Sequence, residues 1–209
     1  MEIHRLDPKK IFPTTWATRE VQCDVAFENL KADIGSNGGN IAPIKVRPTF
    51  GIAGEFQIVF GHRRHQACLE LQLDVLAIVE AMDDMQLVKE MDKENRFRID
   101  ASPYEQGALL KKTLDHGLFP SARKMFWAMG IDQKTASKAL IIARLPKQIL
   151  EAFQKPSCIK ENWARKIDEE FRRDPDMLLH LAKQLANGNK KLTANQVYQD
   201  LTKYSAGRT

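Results

Sequence analysis

The sequence predicts an α+β protein in two parts: a small mixed α/β domain over residues 1–100, then an all-helical domain over residues 101–209. Three observations carry that expectation. Strand-like and helix-like segments alternate up to about residue 100, and strand signals stop after Ser102-Pro103. The charge divides at the same place: residues 1–100 hold 13 Lys and Arg against 16 Asp and Glu, whereas residues 101–209 hold 19 against 11. Residues 121–145 have the helix, glycine, apolar residue, helix spacing of a helix-turn-helix.

In the first part, REVQCDVAFENLKADI sets Val21, Val25, Phe27 and Leu30 at mainly helical spacing, and the glycines of GSNGG end it. IAPIKVRPTF reads as a short strand that starts after Pro43 and stops at Pro48. GEFQIVF has the aromatic and β-branched content of a second strand. GHRRHQACLELQ then reads as a helix starting at or just after Gly61, with Ala67, Cys68 and Leu71 on one face. DVLAIVEAM is a third strand, and DDMQLVKEMDKENR is a helix capped by Asp83 or Asp84.

The second part opens with a capping box in SPYEQG, where Ser102 precedes Glu105 by three residues and Pro103 takes the first helical position. That helix is expected to end at Gly117. The helix-turn-helix follows, with one helix from about Ser121 to Met129, a turn at Gly130 and a second helix capped by Asp132. Ile131, Ala136 and Ala139 are expected to pack the second helix on the first. Phe126 departs from the pattern, because a small residue is usual four positions before the turn glycine; Ala128 is the small residue nearby. PKQILEAF, IKENWARKIDEEFRR, DPDMLLHLAKQLANG and TANQVYQDLTKYS read as further helices, the last two with Asp174-Pro175 and Thr193 at their starts.

Composition excludes several classes. Hydrophobic residues make up 43% and charged residues 28%, which suits a soluble globular chain. No apolar run approaches the roughly 20 residues that span a bilayer, and the basic start has no apolar segment behind it. Cys23, Cys68 and Cys158 are scattered and lack a CxxC pair, which argues against a disulfide framework or a zinc site and suits a reducing cytoplasm.

Three groups of residues are candidates for chemistry. Gln133, Lys134, Thr135, Ser137 and Lys138 stand towards the outward N-terminal end of the second helix of the turn, and Arg123 and Arg144 flank it. These side chains reach base edges and phosphates. A glycine turn between two ordinary packed helices is the competing reading, and the basic second part favours DNA. At GHRR, a glycine opens a helix whose free N–H groups and dipole meet Arg63 and Arg64, an arrangement that suits a phosphate. His62 and His65 could share a face, but two cations beside them and the lack of a third ligand disfavour a metal. In ENRFR, Glu94 and Asn95 offer hard oxygen ligands for Mg²⁺, and Arg98, four residues after Glu94, could reach a triphosphate. For the last group the residues alone favour an everyday surface Glu–Arg pair.

The ordered set NGGNIAPIKVRP, GHRRHQA, ENRFRIDASPYE and then the helix-turn-helix resembles the ParB chromosome and plasmid partition proteins over about residues 30–155. The wording around IKVRP, SPYEQG and ARLPKQILEAF is most similar to plasmid-type members of the F-plasmid kind. The resemblance implies a ParB/sulfiredoxin-like N-terminal domain and a CTP- and Mg²⁺-dependent dimeric DNA clamp. Such a clamp recognises a palindromic centromere site, slides from it, works with a ParA-type ATPase, and is reset by a weak CTPase activity. Under it, Gly61, Arg63 and Arg64 match a G-x-R-R phosphate motif, and Ile44, Val46 and Arg47 belong to the strand that borders the nucleotide. Glu94 and Asn95 match the Mg²⁺-side pair, and Arg98 the arginine three residues on. This sequence has His62, His65 and Ile99 where chromosomal members usually have Glu, Arg and Glu. No catalytic residue stands out.

Two other classes follow from the same residues. Sulfiredoxins share the N-terminal fold but carry a cysteine after the glycine, where this chain has His62; Cys68 is expected to be buried. A ParB-like DNA-binding regulator or nuclease without a CTP switch is the alternative within the resemblance. ParB proteins usually end in a dimerisation domain, whereas residues 155–209 read as further helices, so the chain is expected to be a fragment that dimerises through its N-terminal domain and residues 105–154.

Overall fold

The strands form where short β-branched and aromatic runs are bounded by glycine or proline. In the computed structural model, which describes residues 2–18, 24–98, 101–188 and 192–203, the strands are β1 (Ile3–Leu6), β2 (Ile11–Pro13), β3 (Ile44–Pro48), β4 (Phe56–Phe60) and β5 (Val75–Val79). They make one mixed sheet in the order β1-β5-β3-β4-β2. β1 runs antiparallel to β5 and β4 antiparallel to β3, while β3 is parallel to β5 and β2 parallel to β4. The edge strands β1 and β2 are absent from the expectations above. Each is three or four residues long with exposed apolar side chains, so neither shows an inward-facing pattern until its partner is in place.

Three helices accompany this sheet: α1 (Val25–Ser36), α2 (His62–Leu71) and α3 (Asp84–Arg96). Asp24 caps α1 by accepting from the Phe27 N–H at 2.8 Å. Val25 is 79% exposed, so the inward face of α1 is carried by Phe27, Leu30 and Ile34. Val21 and Cys23 lie outside the described residues. For α3 the cap is Asp83, whose carboxylate accepts from the Gln86 N–H at 2.7 Å. The apolar core gathers Ile11, Phe27, Ile34, Ile44, Val46 and Ile58 with Ala67 and Cys68 of α2.

Alternation along β3 sends Ile44 and Val46 into that core and Lys45 and Arg47 the other way, to ionic partners on α3. Lys45 is buried between Glu80 and Glu90, each 2.9 Å from its amine. Burial works against its charge, but the Glu90 and Glu80 carboxylates outweigh that and hold its pKa above the ordinary lysine value.

By contact the chain divides into two units between Glu94 and Asn95. The second holds helices and no strand among its described residues: α4 (Pro103–Asp115), α5 (Ala122–Met129), α6 (Gln133–Arg144), α7 (Lys147–Ala152), α8 (Ala164–Arg173), α9 (Pro175–Asn187) and α10 (Ala194–Lys203). Ser102 accepts from the Glu105 N–H at 3.1 Å, as a capping box requires. α4 stops at Asp115, two residues before Gly117, whose φ of +70° lets the Leu118 N–H return to the Thr113 carbonyl.

α6 packs against α4 with no room for a side chain at Gly107. A Cβ on Gly107 of α4 would fall 2.0 Å from the Ala139 carbonyl oxygen and 3.0 Å from the Ala143 Cβ. Ala139 therefore packs α6 on α4, whereas it was expected to face the preceding helix. The largely aliphatic core of this unit includes an aromatic stack in which Trp163 lies 4.5 Å from Tyr198 at 9° and 6.5 Å from Phe153.

Candidate functional site

The first candidate site is the start of α2. Gly61 has φ +94°, and α2 begins behind it with no side chain capping its N–H groups. A helix start with no capping side chain in front of it is what an anion site at a helix N-terminus needs. A Cβ at Gly61 would sit 2.6 Å from Ile44 Cγ2 and 3.3 Å from Arg64 Nη2, so Arg64 lies directly against the glycine.

Both arginines have protein partners. Arg63 bonds the Asp24 carboxylate at 2.6 Å and lies 5.9 Å over the Phe27 ring. Arg64 Nη1 donates to the Ala42 and Pro43 carbonyls, each at 2.8 Å. Burial pushes the Arg64 guanidinium below its ordinary pKa, and the Glu94 carboxylate opposes that shift. Asp24 and Asn40 were not singled out in the sequence. Asn40 is buried and ties its own loop to β5, with its amide donating to the Ala42 and Leu76 carbonyls and its oxygen accepting from the Leu76 N–H. Asp24 has a local signal as the polar residue that caps α1, but its bond to Arg63 and that of Asn40 to Leu76 reach 36 or more positions along the chain and leave no local trace.

Around this turn the other expected residues separate. Ile44 and Val46 serve the core. Arg47 is spent on structure: it bonds Gln57 Oε1 at 2.9 and 2.7 Å and the Asp84 carboxylate at 2.6 Å. Glu94 acts electrostatically on Arg64, whereas Asn95 lines a cavity of the second unit. Arg98 is not on a helix face with Glu94, because α3 ends at Arg96 and the chain turns, with the Arg98 N–H returning to the Asn95 carbonyl at 3.3 Å. Ile99 lies outside the described residues.

His65 is a structural link, its Nε2 lying 2.9 Å from the Pro8 carbonyl. Cys68 is fully buried, and burial pushes its thiol above the ordinary value while the hydrogen bond with Asn40 pulls the other way. A thiolate there is disfavoured.

These residues fit a nucleotide phosphate: an uncapped helix start, a glycine with no Cβ, and a guanidinium against it. For Mg²⁺ the protein offers fewer donors, since no group of three or more His, Cys, Asp or Glu among the described residues could hold a metal. Glu94 and Asn95 suit Mg²⁺ only when phosphate oxygens and waters complete its shell, which is its usual mode of binding.

The second candidate site is the α5–α6 turn. Gly130 has φ +63°; its N–H bonds the Trp127 carbonyl at 3.2 Å and the Ile131 N–H returns to the Phe126 carbonyl at 3.0 Å. That doubled bond closes α5 and drops Ile131 into the interior. Asp132 then caps α6 by accepting from the Thr135 N–H at 2.9 Å, the main reason its carboxyl pKa is held low.

Gln133 and Lys134 are exposed on the first turn of α6, as are Arg123 on α5 and Arg144 at the far end of α6. Thr135, Ser137 and Lys138 are half-buried. The Ser137 hydroxyl bonds back to the Gln133 carbonyl at 2.6 Å, and Lys138 bonds Glu161 at 2.9 Å. Thr135 lines a cavity of about 340 Å³ together with Asn95, Gln106, Asp132 and Glu161.

Residues 1–96 match the ParB N-terminal domain. The first part of the chain thus carries a ParB N-terminal domain. The chain is 31% identical over 164 residues to a putative replication protein B of Sinorhizobium fredii, covering 76% of this chain and 48% of that protein. It is 24% identical over 145 residues to protein SopB of Escherichia coli O157:H7, covering 68% of this chain and 45% of that one. The chain thus spans about half the length of the curated relatives it matches. The fold is that of the C-terminally truncated chromosome-partitioning protein ParB from Caulobacter crescentus, whose crystal structure holds the centromeric parS site. That match has a TM-score of 0.54 at 22% identity and covers 96% of this chain and 99% of the other. None of the helices in the described residues is long and apolar enough to cross a membrane.

Proposed function

We propose that this chain is a DNA partition protein. In this reading α5 and α6 bind a palindromic centromere site in duplex DNA, and the start of α2 takes CTP with Mg²⁺. Two copies form the clamp, and a ParA-type ATPase is the partner. One observation carries the reading: the Gly130 turn closes α5 and presents Gln133 and Lys134, exposed, on the first turn of a capped helix, in the half of the chain that carries the excess of Lys and Arg. A palindromic site asks for two such readers.

At the nucleotide, the N–H groups of α2 and Arg64 hold phosphate, while Glu94, which acts on Arg64, presents its carboxylate towards the metal. Bound Mg²⁺ would neutralise triphosphate charge. We assign no catalytic residue; any hydrolysis resets the clamp and is not needed for DNA recognition.

Lys134→Ala should weaken duplex binding by roughly tenfold and lower the salt slope by about 1, read by fluorescence anisotropy across a salt series. Unchanged affinity at physiological salt would refute the assignment of α6. Arg64→Ala should abolish CTP binding in calorimetry. Since Arg64 also holds the Ala42 and Pro43 carbonyls, Arg64→Lys is the companion variant, expected to keep part of the affinity through its single cation.

A DNA-binding regulator without the nucleotide switch is the second reading. It is favoured by the protein partners that Arg63 and Arg64 already have. Duplex binding that persists while calorimetry detects no CTP would select it.

A further inference from the structure

We infer that Glu161 is a specificity-determining residue of the DNA site, acting by fixing Lys138 of α6 and by placing negative charge where a phosphate would otherwise be accepted. The inference rests on the DNA reading of α6 given above.

The two side chains come from separate elements, 23 positions apart, and meet at 2.9 Å. They are 29% and 35% exposed, so the pair is partly withdrawn from solvent yet reachable from outside. Glu161 opens the 3-10 turn Glu161–Trp163, and Trp163 is locked in the aromatic stack with Tyr198 and Phe153. The carboxylate is thereby presented to α6 from a rigid core rather than from a mobile loop.

The other carboxylate on this wall, Asp132, is taken up by the cap of α6, which leaves Glu161 to govern Lys138. A free lysine is a flexible point charge that accepts any phosphate oxygen. Held by Glu161, the ammonium has two donors left, in a fixed direction, and these suit the paired acceptors N7 and O6 of guanine. The pair is neutral overall, so it adds little to sequence-independent attraction. Phosphate is turned away from this position while a correct base edge is still read.

The test starts with duplexes of about 30 base pairs, enough for two half-sites, selected from a random pool by the wild-type chain. Anisotropy is then measured on the best duplex and on its scrambled counterpart for the wild type, Glu161→Gln, Glu161→Asp, Lys138→Met and the Glu161→Gln/Lys138→Met double variant. Glu161→Gln should tighten the scrambled duplex and reduce the selected-to-scrambled affinity ratio by roughly tenfold, the scale of one lost base contact. Glu161→Asp, which keeps the charge, should retain most of the ratio.

If Glu161 acts through Lys138, Glu161→Gln should change the ratio by less than about twofold in the Lys138→Met background. Equal factors on both duplexes, or an undiminished ratio change without Lys138, would overturn the assignment. A wild-type chain that enriches no sequence overturns the DNA reading and this assignment with it. A chain that selects a duplex and keeps its ratio in Glu161→Gln overturns the assignment alone.

Discussion

Gly61 is held by two constraints that the letter G does not separate. Its φ of +94° disfavours any Cβ, and the space a Cβ would need is filled by Ile44 Cγ2 at 2.6 Å. Gly61→Ala should therefore lower unfolding stability by roughly 1–3 kcal/mol in a denaturant titration, combining overpacking with backbone strain. A loss below about 0.5 kcal/mol, the range of an ordinary surface change, would contradict the close approach. Beside it, Asp24 is held below its ordinary value of 3.8, first by the Phe27 N–H and, against some burial, by Arg63. Its folded pKa is depressed, so the stability it contributes is fully present above the unfolded value and is lost as pH falls through the folded one. The stability difference between wild type and Asp24→Asn should stay level above about pH 5 and shrink below about pH 4. A difference independent of pH would show that the carboxylate does not act through its charge. These residue-level links escape sequence reading because Arg63 looks like a free phosphate ligand until the cap of a helix 39 positions away is seen beside it.

Most elements were legible from local chemistry. Asp83, Ser102, Asp132 and Asp174 each cap a helix where a polar residue precedes an apolar period, and β3, β4 and β5 follow their apolar runs. What stayed hidden depends on partners distant in sequence. β1 and β2 exist only through their pairing with β5 and β4. The end of α3 at Arg96 broke the expected Glu94–Arg98 face, because the turn bonds of Asn95 and Arg98 outcompete another helical step. The close helix contact was sought near Phe126 and Ala128 but lies at Gly107, which reads in sequence as a flaw within a helix. By propensity alone Gly107→Ala would stabilise α4 by about 1 kcal/mol. With the Ala139 carbonyl 2.0 Å from the new Cβ, the sign should reverse, to a loss of roughly 1–3 kcal/mol. A stabilised variant in the same denaturant titration would contradict the α4–α6 contact.

At the scale of the molecule, a mixed sheet with a candidate anion site at the start of α2 is joined in one chain to a helical unit whose α6 exposes Gln133 and Lys134. Each unit has its own core, and α3 is continuous through the division between Glu94 and Asn95. The order of the motifs made this joint architecture legible, since glycine-arginine, glutamate-asparagine and helix-turn-helix signals are each weak alone. The two functions proposed for the units make separable predictions: Lys134→Ala should spare CTP binding, and Arg64→Ala should leave some DNA binding. Calorimetry and anisotropy on both variants check this, and loss of both activities in either variant would argue for unfolding instead. The central claim is that nucleotide binding closes two copies on DNA. It is tested most directly by crosslinking the N-terminal units in the presence of selected duplex, Mg²⁺ and each of the four ribonucleoside triphosphates in turn. The account predicts a dimer crosslink that rises with CTP alone; equal yields with all four, or with none added, would contradict it.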